Sequence, residues 1–159
     1  KPGRRAIDAT AGMGEDAFLL AAQGYEVTLY EQNPVIAALL KDALRRARKN
    51  MILKEIAERM KLVEGNSVEC MEKQLDPVDV IYLDPMFPAR QKSGLINKKL
   101  QLIQKLEPPC SAETDLFDAA IKANPSKIIV KRPLKSEFLA ERKPSYTLNG
   151  KAIRYDCYT

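Results

Sequence analysis

Three carboxylates stand where apolar, strand-like runs come to an end. Ala6-Ile7-Asp8-Ala9 leads into Thr10-Ala11-Gly12-Met13-Gly14, Glu26-Val27-Thr28-Leu29-Tyr30 ends at Glu31, and Val78-Asp79-Val80-Ile81-Tyr82-Leu83 ends at Asp84. One acid at a strand end is an ordinary turn residue, whereas three suit a pocket that accepts hydrogen bonds from hydroxyls or amines. Asp84 is followed by Pro85-Met86-Phe87-Pro88. Prolines fix φ and stiffen this loop, so a carboxylate acceptor and an aromatic face are held ready together. Such a pair can take the hydrogens of a planar amine and keep its ring flat. Gly12-Met13-Gly14-Glu15-Asp16-Ala17 has G-x-G-x-x-[GA] spacing, and glycines there let the backbone turn tightly and approach a ligand. Glu31 follows at the distance where an acid meets a ribose hydroxyl.

The chain of 159 residues contains no histidine. A histidine general base, a Ser-His-Asp triad or a His-ligated zinc therefore cannot be built from it, and no metal is expected. Cys70, Cys110 and Cys157 are odd in number, far apart and without a C-x-x-C. They predict reduced, partly buried thiols of a cytoplasmic protein, not a disulfide framework. With 45% hydrophobic residues the chain can bury the core of one domain over 1–159. No window approaches 18 uncharged apolar residues, which excludes a membrane helix. The opening Lys1-Pro2-Gly3-Arg4-Arg5, without an initiator Met, predicts a piece of a longer protein that lacks an N-terminal region.

Lys and Arg outnumber Asp and Glu by 26 to 21, a net charge of +5, which is compatible with a nucleic-acid partner without requiring one. Arg45-Arg46-Arg48-Lys49 fall on a helical pattern and read as a solvated face. Arg90-Lys92-Lys98-Lys99 and Lys131-Arg132-Lys135 flank the motifs above. Arg90, Lys92, Lys131 and Arg132 are expected to form a rim facing such a nucleic-acid partner, with pocket closure the alternative role of Lys131 and Arg132.

The elements that must position these residues alternate between strand and helix. Strand-like runs at 6–9, 26–30, 62–64, 78–83 and 127–131 are separated by helical patterns at 16–22, 35–48, 51–60, 98–106 and 112–123. Tyr146-Thr147-Leu148 and Ala152-Ile153-Arg154-Tyr155 bracket Asn149-Gly150, a strong hairpin signal. The pattern predicts an α/β, Rossmann-like three-layer sandwich whose mostly parallel, seven-stranded sheet ends in an antiparallel hairpin. In such a sheet, ligands bind beyond the carboxyl ends of the strands where strand order switches. All three acids would lie there.

Which ligand follows from charge. A dinucleotide brings a pyrophosphate to the helix N-terminus after the glycine turn. Asp8, Glu15 and Asp16 would repel it, yet would attract the cationic methionine end of S-adenosylmethionine. Asp84-Pro85-Met86-Phe87-Pro88 in turn resembles the (D/N)-P-P-(F/Y/W) motif of methyltransferases acting on nitrogens conjugated to a π-system. A nicotinamide-binding or non-catalytic module, and an amino-methyltransferase acting on adenine N6 in DNA or on a protein glutamine, are the alternatives.

Taken together, the segments 8–18, 82–88 with Lys92-Ser93, 129–133 and 154–158 resemble, in order, the RsmJ family. These are bacterial 16S ribosomal RNA guanine-N2 methyltransferases that use S-adenosylmethionine. The resemblance implies a class I methyltransferase fold and a substrate that is 16S ribosomal RNA or the small ribosomal subunit. It implies cofactor contacts at Glu15, Asp16, Glu31, Gln32, Asn66, Ser67 and Asp84, with Asp8, Gly12 and Gly14 shaping the loop. Asp84, Pro85 and Phe87 would receive the guanine. The family typically carries arginine in place of Glu15 and of Gln32 and serine in place of Asn66, so the carry-over is firmest for Asp16, Glu31 and Asp84.

Overall fold

The computed structural model describes residues 4–85 and 113–159. Five strands, β1 (Arg5–Asp8), β2 (Glu26–Glu31), β3 (Met60–Glu64), β4 (Val80–Leu83) and β5 (Lys127–Pro133), pair in parallel, and β6 (Tyr146–Asn149) and β7 (Ile153–Tyr158) add an antiparallel hairpin. The order across the sheet is β3-β2-β1-β4-β5-β7-β6. The chain winds outward from β1 to one edge and then restarts at β4 on the other side of β1. That restart opens a crevice between the carboxyl ends of β1 and β4. The predicted architecture is the one observed.

Helices cover both faces. On one, α1 (Glu15–Ala22), α2 (Pro34–Ala47) and α3 (Lys54–Glu58) contribute Ala17, Ala21, Leu40, Leu44 and Ala57 to a core with Val27 and Leu29 of the sheet. On the other, α4 (Ser67–Glu72) and α5 (Glu113–Lys122) pack Met71, Leu116, Phe117 and Ala120 against Ile7, Ile81, Leu83 and Val130. Small residues on the buried face of α1 bring its axis close to the sheet. In α2, Pro34 sits in the first turn and Asn33 caps it, its Oδ1 accepting from the N–H groups of Val35 and Ile36 at 3.0 and 3.3 Å, as start signals of this type require. Among the described residues no helix is long and apolar enough to cross a membrane.

One expectation needs adjustment. The helix expected over 51–60 shrinks to α3, because Met51 and Ile52 are almost fully exposed in the preceding turn. The basic run of α2 is exposed, as a solvated face should be. Arg45 and Arg46 share Asp42, and Arg48 donates to the carbonyls of Ala57 and Met60 at the start of β3. The helical pattern at 98–106 and Cys110 lie outside the described residues. Cys70 and Cys157 are free thiols, half-buried and buried respectively.

Candidate active site

The turn after β1 is stitched to both neighbouring strands. Ala9 N–H donates to the Tyr82 carbonyl at 3.1 Å and Ala11 N–H to that of Tyr30 at 3.2 Å. Asp8 is buried at the end of β1, and its Oδ1 accepts from the backbone N–H of Thr10 at 3.1 Å, an Asx turn. The Thr10 hydroxyl is the joint between the halves of the sheet: it donates toward Asp8 at 3.5 Å and accepts from Asp84 N–H at 2.7 Å. Burial, reinforced by the nearby Asp16 and Asp84 carboxylates, pushes the Asp8 carboxyl up to about 7.

The two glycines of the turn do different work. Both have left-handed backbones, φ 49° at Gly12 and 76° at Gly14. Among the described residues, a Cβ on Gly12 would meet nothing within 4 Å, so this side of the loop is open to a ligand. A Cβ on Gly14 would come within 2.9 Å of Leu40 Cδ1. Gly14 is therefore required for α1 to seat against α2, and Gly12 to leave room. Gly12→Ala should cost about 1–2 kcal/mol of stability from the left-handed backbone alone. Gly14→Ala adds overpacking and should cost about 2–4 kcal/mol. Denaturant unfolding of both variants checks this; equal losses would mean that Leu40 yields freely.

Glu31 closes the loop from β2. Its Oε2 accepts from Gly12 N–H at 3.0 Å and its Oε1 from Asn33 N–H at 2.7 Å. The buried carboxylate thus holds the glycine turn and the start of α2 in one frame. Each oxygen keeps a further lone-pair direction for a hydroxyl. The Glu31 carbonyl accepts from Gly65 N–H at 2.9 Å, which brings Asn66 and Ser67 to the same end of the sheet. Asn66 caps α4, its Oδ1 accepting from Val68 N–H at 2.9 Å. Glu15 and Gln32 stand exposed at the rim.

Asp84 and buried Pro85 end β4. Burial raises the Asp84 carboxyl, against the pull of the Lys131 ammonium. Lys131 Nζ lies 3.1 Å from Asp84 Oδ2 and 2.9 Å from Asp16 Oδ2. The Tyr82 hydroxyl is buried toward Asp16 and makes no hydrogen bond of full geometry among the described residues. Asp16 and Asp84 thus share one ammonium, with the buried Asp8 carboxyl near both of them, beside an open glycine turn. A cation suits this donor set and a pyrophosphate does not.

Arg132 corrects the expected rim. Successive strand residues point to opposite faces, so Lys131 and Arg132 cannot share one surface. Lys131 turns to the α1 side, into the site. Arg132 is buried on the other side, donating twice to the Glu137 carbonyl, at 2.9 and 2.6 Å, and pairing with Glu113 at 3.4 Å. It is 3% exposed and serves the fold. Phe87, Arg90 and Lys92 lie outside the described residues. Sequence reasoning missed Thr10, for which the Asp-x-Thr spacing was the signal available; it had allowed Lys131 and Arg132 together to close the pocket, and the alternation of β5 leaves that place to Lys131.

This strand order, with an open glycine turn after β1 and an acid-proline end to β4, is that of the class I methyltransferase fold. Residues 3–159 match the SAM_MT family, described as "Putative SAM-dependent methyltransferase", and the chain belongs to that family. It is 46% identical over 155 residues to ribosomal RNA small subunit methyltransferase J of Stutzerimonas stutzeri (strain A1501), covering 97% of this chain and 60% of that protein. The protein of the same name from Pseudomonas fluorescens (strain Pf0-1) is 44% identical with the same coverage. The crystal structure of the SAM-dependent methyltransferase NGO1261 from Neisseria gonorrhoeae is similar with a TM-score of 0.79 at 36% identity, over 97% of this chain and 60% of that one. The chain spans about 60% of the length of the curated relatives it matches. Membership sets aside the nicotinamide-binding alternative.

Proposed function

We propose that this chain is the catalytic part of a cytoplasmic enzyme that methylates the exocyclic N2 of a guanine in small-subunit (16S) ribosomal RNA. The observation that carries methyl transfer to an amine is the placement of Asp84: it ends β4 beside the open Gly12 turn, with one oxygen held by Lys131. The names of the 44–46% identical relatives support ribosomal RNA as the substrate.

S-adenosylmethionine, when bound, supplies a methyl group activated on a sulfonium. Gly12 would give it room, Asp8 and Asp16 would face its cationic end, Glu31 would accept from its ribose, and Asn66 and Ser67 would border its adenine, with Glu15 and Gln32 at the rim. Asp84 accepts a hydrogen of the amine, whose lone pair is otherwise drawn into the ring. Asp84 would also take the proton that the nitrogen sheds when it is methylated. Pro85 fixes the loop, and Phe87 stacks on a guanine flipped from its helix, a step costing a few kcal/mol.

The test is mass mapping of methyl groups on small-subunit ribosomal RNA incubated with the full-length protein and labelled S-adenosylmethionine. One methyl at a guanine, recovered as N2-methylguanosine, is the expected result. A label on adenine, on protein, or nowhere while the cofactor binds would overturn the assignment.

A further inference from the structure

Lys131 is oddly placed for a residue that serves only the fold. Its ammonium lies against the first turn of α1, where the helix dipole disfavours a positive charge. Its two partners are partly open to solvent, with side chains 26% (Asp16) and 34% (Asp84) exposed. Ion pairs in such settings contribute little to stability. Their geometry, however, is specific. The ammonium takes Oδ2 of Asp16 and Oδ2 of Asp84, and Asp84 Oδ1 has no hydrogen bond among the described residues. The backbone of Asp84 is pinned separately by Thr10. One oxygen of Asp84 is gripped, its main chain is fixed, and the other oxygen is left to the pocket.

We propose that Lys131 is a positioning residue for methyl transfer: anchored by Asp16, its ammonium grips one oxygen of Asp84 and presents the other, ionised, to the substrate amine. This rests on the reading of Asp84 as amine acceptor given above. Among the described residues, the titratable groups facing Asp84 are Asp8 of β1, Asp16 of α1, Tyr82 of β4 and Lys131 of β5. Lys131 is the one cation in this set. Burial and the neighbouring Asp16 favour a protonated Asp84, and Lys131 opposes them. A protonated carboxyl donates where the amine needs an acceptor. The sign is therefore fixed: without Lys131, Asp84 ionises at a higher pH, and the rise of activity with pH moves upward with it.

The experiment follows the carboxyl carbon of Asp84 by 13C NMR through a pH titration of the full-length protein, with Asp84→Asn identifying the signal. An opposite charge at this range lowers a carboxylate midpoint by about 1–3 pH units. In Lys131→Met, and in Lys131→Gln, the midpoint should rise by an amount of that order, and Lys131→Arg should stay near the parent. Single-turnover methylation should show the same displacement of its acidic limb, with the variant recovering at high pH. An Asp84 midpoint unmoved in Lys131→Met, a rate lost equally at every pH, or failure of both neutral variants to fold would overturn the proposal. If the parent methylates some other group, the substrate assignment fails, while the titration still decides the role of Lys131.

Discussion

Asp84→Asn should lower single-turnover methylation by about 100-fold or more at saturating cofactor and RNA, the scale expected for losing one preorganised polar group at developing charge. The substitution keeps the shape of the β4 end and its backbone bond to Thr10. It removes the charge and the site that receives the proton. Because burial already raises the Asp84 carboxyl, the parent loses its own carboxylate as pH falls. The gap between parent and variant should therefore narrow in acid and widen toward neutrality. Cofactor affinity must be measured alongside, since Lys131 and Asp16 lose a neighbouring charge. A parental rate at saturation would reduce Asp84 to a loop-shaping residue.

The second large effect lies on the opposite face of the sheet. Asp156 is fully buried and holds the Arg154 guanidinium in a two-pronged pair, Oδ1 to Nε at 2.8 Å and Oδ2 to an Nη at 3.2 Å. Arg154 stands opposite Arg132 across β7 and β5. The two guanidiniums converge on the Glu137 carbonyl, and Arg154 also donates to the Leu134 carbonyl at 2.9 Å and lies over the Phe138 ring. They tie down the segment that follows β5. Asp156→Ala would leave two buried cations with the partly exposed Glu113 as their carboxylate. Breaking a buried pair in this way costs about 3–5 kcal/mol, which for a domain of this size lowers Tm by roughly 10 °C. Thermal and denaturant unfolding check it. The double variant Arg154→Met/Asp156→Leu should recover much of the loss, since a packed apolar pair replaces an orphaned charge. A loss below about 1 kcal/mol for Asp156→Ala would show that water reaches the guanidiniums.

What could be read in the linear sequence was what depends on neighbours in the chain. The alternation of strand and helix, the Asn149-Gly150 hairpin and the three acids at strand ends all register within a few residues, so the sheet and its binding end were legible. What escaped depends on residues far apart or on short elements. The helix Ser67–Glu72 is too brief for a periodic signal, and its cap, Asn66, had been given only a ligand role. Met51 and Ile52 extended an apolar pattern into a turn where both are exposed. Lys131 and Arg132 formed a basic pair by adjacency, and the pleat of β5 sends them to opposite faces. Thr10 has no chemistry of its own in the motif; its role appears only once Asp84, 74 positions away, arrives at its hydroxyl.

That distance has a consequence for how the protein comes to exist. Asp16 and Lys131 are 115 positions apart, and β4 meets β1 only after the chain has run out to β3 and returned. Contacts of such sequence separation close late, because the loop entropy must be met before they give anything back. During synthesis Asp8, Asp16 and Asp84 are all made before Lys131, so the charge arrangement of the site is complete only when Lys131 enters beside β4.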